Sequence, residues 1–216
     1  MPPKAFRVSA ETDVRSAPAL RFALKLMMAA DAMKSAFSWI ERLDHDTETP
    51  MVRTQRLYAL VSGAGWAGET IRCIKDGVAE GWIEASMVEA QVHLAALFDD
   101  CLANEAPQRI KKLHMIRGEC FGHWDRKSVD RFFDTHDFEP QDLPIIETNG
   151  GGKFMETCFP WAYAAIAYHL IGSVNEEVVR EQIQEIGRTT AMIAKLVERL
   201  LAEILKRGGF RIQAVD

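Results

Sequence analysis

The chain has 216 residues, of which 48 % are hydrophobic and 26 % charged, and its formal net charge is −5. This length and balance describe one ordinary globular domain with enough apolar side chains for a sizeable core. The acidic balance excludes a global positive field that would gather nucleic acid, so any anion site has to be local.

Residues 1–13, MPPKAFRVSAETD, read as a loose arm. They lack the apolar core of a signal peptide. No apolar run reaches the roughly 18 residues of a membrane span. A cytoplasmic protein without a membrane partner is therefore expected. Residues 14–43 carry Leu20, Leu24, Met27, Met28, Ala32, Phe37 and Ile40 at helical spacing. Thr49 and Pro50 have the types of an N-cap and a first helical residue. A second helix over about 50–77 contains Gly63, Gly65 and Gly68. Each costs about 1 kcal/mol relative to Ala in a helix, so the three mark close packing or a kink. A third helix is expected over about 82–103, and a fourth from Pro107 to about 122. The stretch RKSVDRFFDTHD reads as a short fifth helix.

Residues 138–157 break the pattern with two prolines and TNGGGK, as an irregular loop or a small hairpin would. FPWAYAAIAYHLIGS is an almost wholly apolar helix. Ser173 and Glu176 have capping-box spacing for a last helix that runs to about Arg207 and stops at Gly208 and Gly209. No strand alternation of useful length appears. The fold class expected is all-α: an antiparallel bundle of about six to seven helices over 14–207, with a tail at 208–216.

Residues 109–127 hold Arg109, Lys111, Lys112, Arg117, Arg126 and Lys127 against Glu119 and Asp125, a net +4. The following stretch is acidic, with Asp130, Asp134, Asp137, Glu139, Asp142 and Glu147. A positive island in a negative chain fits an anionic ligand bound at one place. Within the island, MIRGECFGHWDRK sets Arg117 six positions before His123. On a continuous helix that is about 240° of rotation and about 9 Å of rise, so the two would not share a face. They converge if the helix ends near Gly122, or if two copies meet. Gly118 and Gly122 lie four apart, on one face, and allow a backbone or a phosphate to approach closely. A His titrates near neutrality and an Arg offers a fixed fork to phosphate oxygens. Together they are the minimum for transesterification of RNA by its own 2′-hydroxyl, with no metal or cofactor. Helix packing, with Arg117 exposed and His123 a satisfied polar residue, is the plain alternative.

IRGECFGHWD resembles the Arg-x(4–6)-His signature of the HEPN superfamily, helical proteins of prokaryotic defence systems and some eukaryotic ribonucleases. The resemblance implies an antiparallel bundle that forms a homodimer and brings two motifs into one composite cleft. It implies Arg117 as phosphate binder, His123 as acid–base residue, and a metal-independent endoribonuclease leaving 2′,3′-cyclic phosphate ends. A toxin or phage-defence setting, with an antitoxin protein as partner, belongs to the same implication. The family's polar residue after the Arg is Gly118 here. That departure supports the alternative, an inactive HEPN-like module that binds a nucleotide, RNA or protein.

Lys112, His114, Trp124, Arg126 and Lys127 surround the motif and are candidate substrate-binding residues. Glu69, among the small residues of GAGWAGET, is a candidate partner for Arg117, with a solvent-facing glutamate as the other reading. Glu89 and His93 are i,i+4, but the repeated Glu-x-x-His motifs of a di-metal bundle are missing, so no metal site is assigned. Cys73, Cys101, Cys120 and Cys158 are widely spaced with no CxxC pair and read as buried free thiols.

Overall fold

The computed structural model describes residues 5–10, 18–43, 49–120, 147–148, 157–158, 171, 176–208 and 210–215. Helix α1 spans Pro18–Leu43 and helix α2 spans Pro50–Ala79. A 3-10 turn (Ala85–Met87), helix α3 (Val92–Leu102), helix α4 (Gln108–Met115) and a π-helical turn (Ile116–Cys120) follow. Helix α5 (Glu176–Arg207) comes last. Four short strands accompany them: β1 (Ala5–Ala10), β2 (Glu147–Thr148), β3 (Thr157–Cys158) and β4 (Phe210–Val215). The core is helical, as expected. Five α-helices stand among the described residues, against the six to seven expected. The expected helix over RKSVDRFFDTHD lies outside the described residues, as does all of FPWAYAAIAYHLIGS except Ile171, which is helical.

Helix α2 is central. It lies against α1, α3, α4, the π turn, α5 and β3. Leu57, Ala59, Leu60, Val61, Ala64, Ala67, Ile71 and Ile74 are all buried on it, covering most of its circumference. Thr49 caps it, its Oγ1 accepting from Val52 N at 3.2 Å, with Pro50 in the first turn where a missing N–H costs nothing. The small residues mark close packing, not a break, because α2 is continuous over 30 residues. A Cβ at Gly63 would stand 3.2 Å from Ala36 Cβ of α1. One at Gly77 would overlap the Phe22 ring and stand 2.8 Å from Ile83 Cδ1.

Helix α1 buries Phe22, Leu26, Ala29, Ala30, Met33 and Ala36 and turns Leu24, Met28 and Trp39 outward. Helix α5 buries Val179, Ile186, Ile193, Leu196, Val197, Leu200 and Ile204, a spacing of three, four and seven that faces α1 and α2. The buried Thr70, Thr189 and Thr190 return their hydroxyls to carbonyls one turn back, at 2.7, 2.9 and 2.8 Å, and so bring no unpaired group into the core.

The third helix begins at Val92, not at residue 82. Helix α2 stops because Gly81 takes φ 79°; its N–H bonds Val78 O at 3.1 Å and the Trp82 N–H bonds Gly77 O at 2.8 Å. This Schellman geometry turns the chain sharply. Ile83, Met87 and Val88 then dip into the core as a turn, and Arg199 of α5 donates from Nε to Met87 O at 3.0 Å. Arg207 also pairs with Glu84 at 2.9 Å. Glu89 therefore precedes the helix that carries His93, and the two do not share a helical face.

Two antiparallel ribbons are present, and the first was not expected. β1 and β4 pair from Ala5↔Val215 to Ala10↔Phe210, joining the segments read as arm and tail. β2 and β3 pair Glu147↔Cys158 and Thr148↔Thr157, the small hairpin reading of 138–157.

Nothing lies within 4 Å of a Cβ placed on Gly81, so a substitution there tests conformation alone. Gly81→Ala is expected to cost about 1–2 kcal/mol, the penalty of a left-handed L-residue. Asn, which tolerates that region, is expected to cost less. Thermal melts of the three proteins check this, with roughly 2–4 °C lost per kcal/mol at this chain length. Equal losses for Ala and Asn would remove the account.

Candidate functional site

The site lies at the seam between α2 and the end of α4. Ile110, Leu113 and Ile116 are fully buried and press α4 and the π turn onto the core. A Cβ at Gly68 would stand 2.6 Å from Leu113 O and 2.9 Å from Arg117 Cβ. Only glycine leaves room for backbone to come that close. The approach delivers Arg117, second residue of the π turn, to Glu69, the next residue on α2. Arg117 Nε donates to Glu69 Oε2 at 2.6 Å. The opposite oxygen, Oε1, accepts from Arg72 Nε at 3.1 Å and from Arg72 Nη2. One carboxylate thus bridges two guanidiniums from different elements. The pairing reading of Glu69 holds, and the solvent-facing one does not, its side chain being only 23 % exposed.

The Arg72 hydrogen bond is the main reason the Glu69 carboxyl is held below its ordinary pKa; burial opposes it and Arg117 reinforces it. Arg117 keeps 37 % of its side chain exposed. Among the described residues, Glu69 engages it through Nε, which leaves the two Nη groups for another acceptor. π turns frequently occur at functional sites, because the wider ring re-aims the side chains that follow.

His114, three residues before Arg117, is half-buried. Burial first, then Lys75 and Arg117, push its pKa down, so the imidazole is neutral at pH 7 and carries one donor and one acceptor. Lys112 lies elsewhere. Its Nζ bonds Gln182 Oε1 of α5, roughly 140° round the helix from Arg117. Arg109 pairs with Asp100 of α3. Among the described residues, Arg109, Lys112 and Arg117 of the basic island thus each meet a different neighbour. Beside the Arg109 pair, burial and the Asp100 charge push the Cys101 thiol up to about 12. It is a buried free thiol, as expected, while Cys73 is only partly buried.

Gly118 is exposed, and among the described residues nothing stands within 4 Å of where its Cβ would be. Within one chain the close-packing glycine is Gly68, not Gly118. Gly122, His123, Trp124, Arg126 and Lys127 lie outside the described residues. Sequence reasoning marked Gly68 for close packing or a kink without naming its neighbour, and missed Arg72 and Lys75. The i,i+3 spacing of Glu69 and Arg72 was a signal for the first of these; Lys75 required the packing of α4. Among the described residues, no group of three or more His, Cys, Asp or Glu side chains is placed to hold a metal ion. No described helix is long and apolar enough to cross a membrane.

Two outcomes are expected from this geometry. Gly68→Ala should destabilise by about 1–3 kcal/mol from overpacking, less the helix-propensity gain of about 1 kcal/mol, whereas Gly118→Ala should be neutral or slightly stabilising. Denaturant midpoints of both variants check this, and a destabilised Gly118→Ala would contradict it. Second, the depressed Glu69 pKa contributes stability above the unfolded-state value of 4.5, and that contribution is lost as pH falls through the lower folded value. Glu69→Gln should therefore be less stable than wild type near neutrality and approach it in acid. A gap that stays constant with pH would dismiss the charge as its origin.

Compared with known proteins, the chain matches no family model, no curated protein and no solved structure.

Proposed function

We propose that this chain is a HEPN-like, metal-independent endoribonuclease, with Arg117 as the phosphate-binding residue and His123 as the acid–base residue. The observation that carries the reading is the Glu69–Arg117 pair. A phosphate-binding arginine must be held in place before the transition state forms. The signature that IRGECFGHWD resembles often carries a polar side chain right after the Arg, and Gly118 has none. Here the Glu69 carboxylate, 2.6 Å from Nε, does the orienting from α2 and leaves the Nη fork for the non-bridging oxygens of a phosphodiester.

The chemistry is internal transesterification. His123 takes the 2′-hydroxyl proton, the 2′-oxygen forms a bond to phosphorus, and the bond to the 5′-oxygen breaks. The leaving oxygen takes up a proton, giving a 2′,3′-cyclic phosphate and a 5′-hydroxyl. A homodimer that sets two motifs in one cleft belongs to this proposal, and sedimentation at micromolar concentration reads it out. The second reading is an inactive module that binds RNA or a nucleotide, and Gly118 favours it.

The deciding experiment is cleavage of a labelled RNA pool in EDTA by wild type, His123→Ala and Arg117→Gln. Cyclic phosphate ends with wild type, and a loss of at least about 100-fold in each variant, are expected. RNA left intact by wild type under conditions where a known ribonuclease cuts it would overturn the proposal. Binding without turnover, kept in His123→Ala and lost in Arg117→Gln, would establish the second reading instead.

A further inference from the structure

Two arginines converge on the Glu69 carboxylate. Arg117 bonds Oε2 through Nε, at 2.6 Å. Arg72, on α2 itself, bonds Oε1 through both Nε and Nη2. A single carboxylate balances one of these two permanent charges. Among the described residues, the other acid near Arg72 is Asp76, at 4.0 Å, with both side chains about half exposed. At that separation and exposure the pair is weak. Lys75 adds a further charge, since it acts on His114 together with Arg117 and so belongs to the same seam. Among the described residues, the seam therefore carries positive charge in excess of its acids, on a chain whose total is −5. Arg72 is 52 % exposed, so this charge faces water.

Two like-charged guanidiniums repel unless something is held between them. Glu69 is that spacer. It sets the two arginines side by side, one from each element of the seam, with one oxygen assigned to each. A ligand with a single small anionic group would meet one arginine or the other, because the Glu69 carboxylate stands between them. A polymer with regularly spaced phosphates meets both. We infer that Arg72 is a second phosphate-binding residue, and that Arg72 and Arg117 grip neighbouring phosphates of a single-stranded phosphodiester backbone. This inference rests on the site proposed above, but it concerns backbone binding and not the cleavage step.

The test separates the two. Binding of a labelled, short 2′-deoxy-oligouridine, which has no 2′-hydroxyl to react, is followed by fluorescence anisotropy across a salt series. The proteins are wild type, Arg72→Gln, and Arg188→Gln, which removes an exposed charge from α5. Arg72→Gln is expected to weaken binding about 5- to 10-fold and to reduce the slope of log affinity against log salt by about 0.7, the loss of one single-strand phosphate contact. Arg188→Gln is expected to leave both unchanged. Circular dichroism melts confirm that each variant folds. An unchanged affinity and slope in Arg72→Gln, an equal effect from Arg188→Gln, or a wild type that does not bind the probe would each overturn the inference. Failure of RNA cleavage with the Arg72 effect intact removes the ribonuclease reading and leaves the inference standing.

Discussion

The close approach of α4 to α2 at Gly68 is the contact on which the seam depends. A 30-residue helix surrounded by other helices has to present small residues wherever a neighbour comes close. Gly63 does so for α1, Gly77 for the Phe22 ring and Ile83, and Gly68 for the Leu113 carbonyl. Each glycine weakens the isolated helix. Burial of Leu57, Leu60, Ile71 and Ile74 on the same helix offsets that loss through apolar area removed from water. The arrangement also explains why α4 needs only eight residues. Ile110 and Leu113, with Ile116 just beyond them, anchor it to a core built by longer helices, and it needs no stability of its own.

The same contact sets the electrostatics. A residue next to a close-packing glycine sits at the rim of the interface, partly shielded from water, where a charge is screened less than at an open surface. Glu69 occupies that rim, and Arg117 reaches it because the π turn begins right after α4. Arg72 follows one turn later on α2 and takes the other oxygen. The carboxylate is therefore ionised and engaged through both oxygens, and His114, three residues before Arg117, is neutral. Both Glu69 oxygens are thereby committed to the two guanidiniums.

The basic island shows how linear charge patterns mislead. Residues 109–127 carry a net +4 in the sequence. In the fold Arg109 turns to Asp100, Lys112 to Gln182 and Arg117 to Glu69. Successive residues on a helix point about 100° apart, so a run of lysines and arginines disperses around the axis. The positive seam that results draws two of its members, Arg72 and Lys75, from a different helix altogether. Charge near a site is set by which faces meet, and a count along the chain does not reveal it.

The helices of 18–43, 50–79 and 176–207 were legible because each carries many apolar residues at helical spacing and a clear cap or stop, such as Thr49 or Gly208. The start of α3 was not, because Trp82, Ile83, Met87 and Val88 mimic helical spacing while serving a core-facing turn after the Gly81 cap. The β1–β4 ribbon was not legible either. Phe6, Val8 and Ala10 alternate over six residues only, and their partners lie some two hundred residues away. Such a pairing has no local signature. For the site, the sequence by itself determined that Arg117 stands six positions before His123 in a basic stretch with two glycines. Only the tertiary structure decided that Gly68 packs closely against α4 and that Glu69 pairs with Arg117. Those are contacts between residues nearly fifty positions apart, and they exist only once α4 is pressed onto α2.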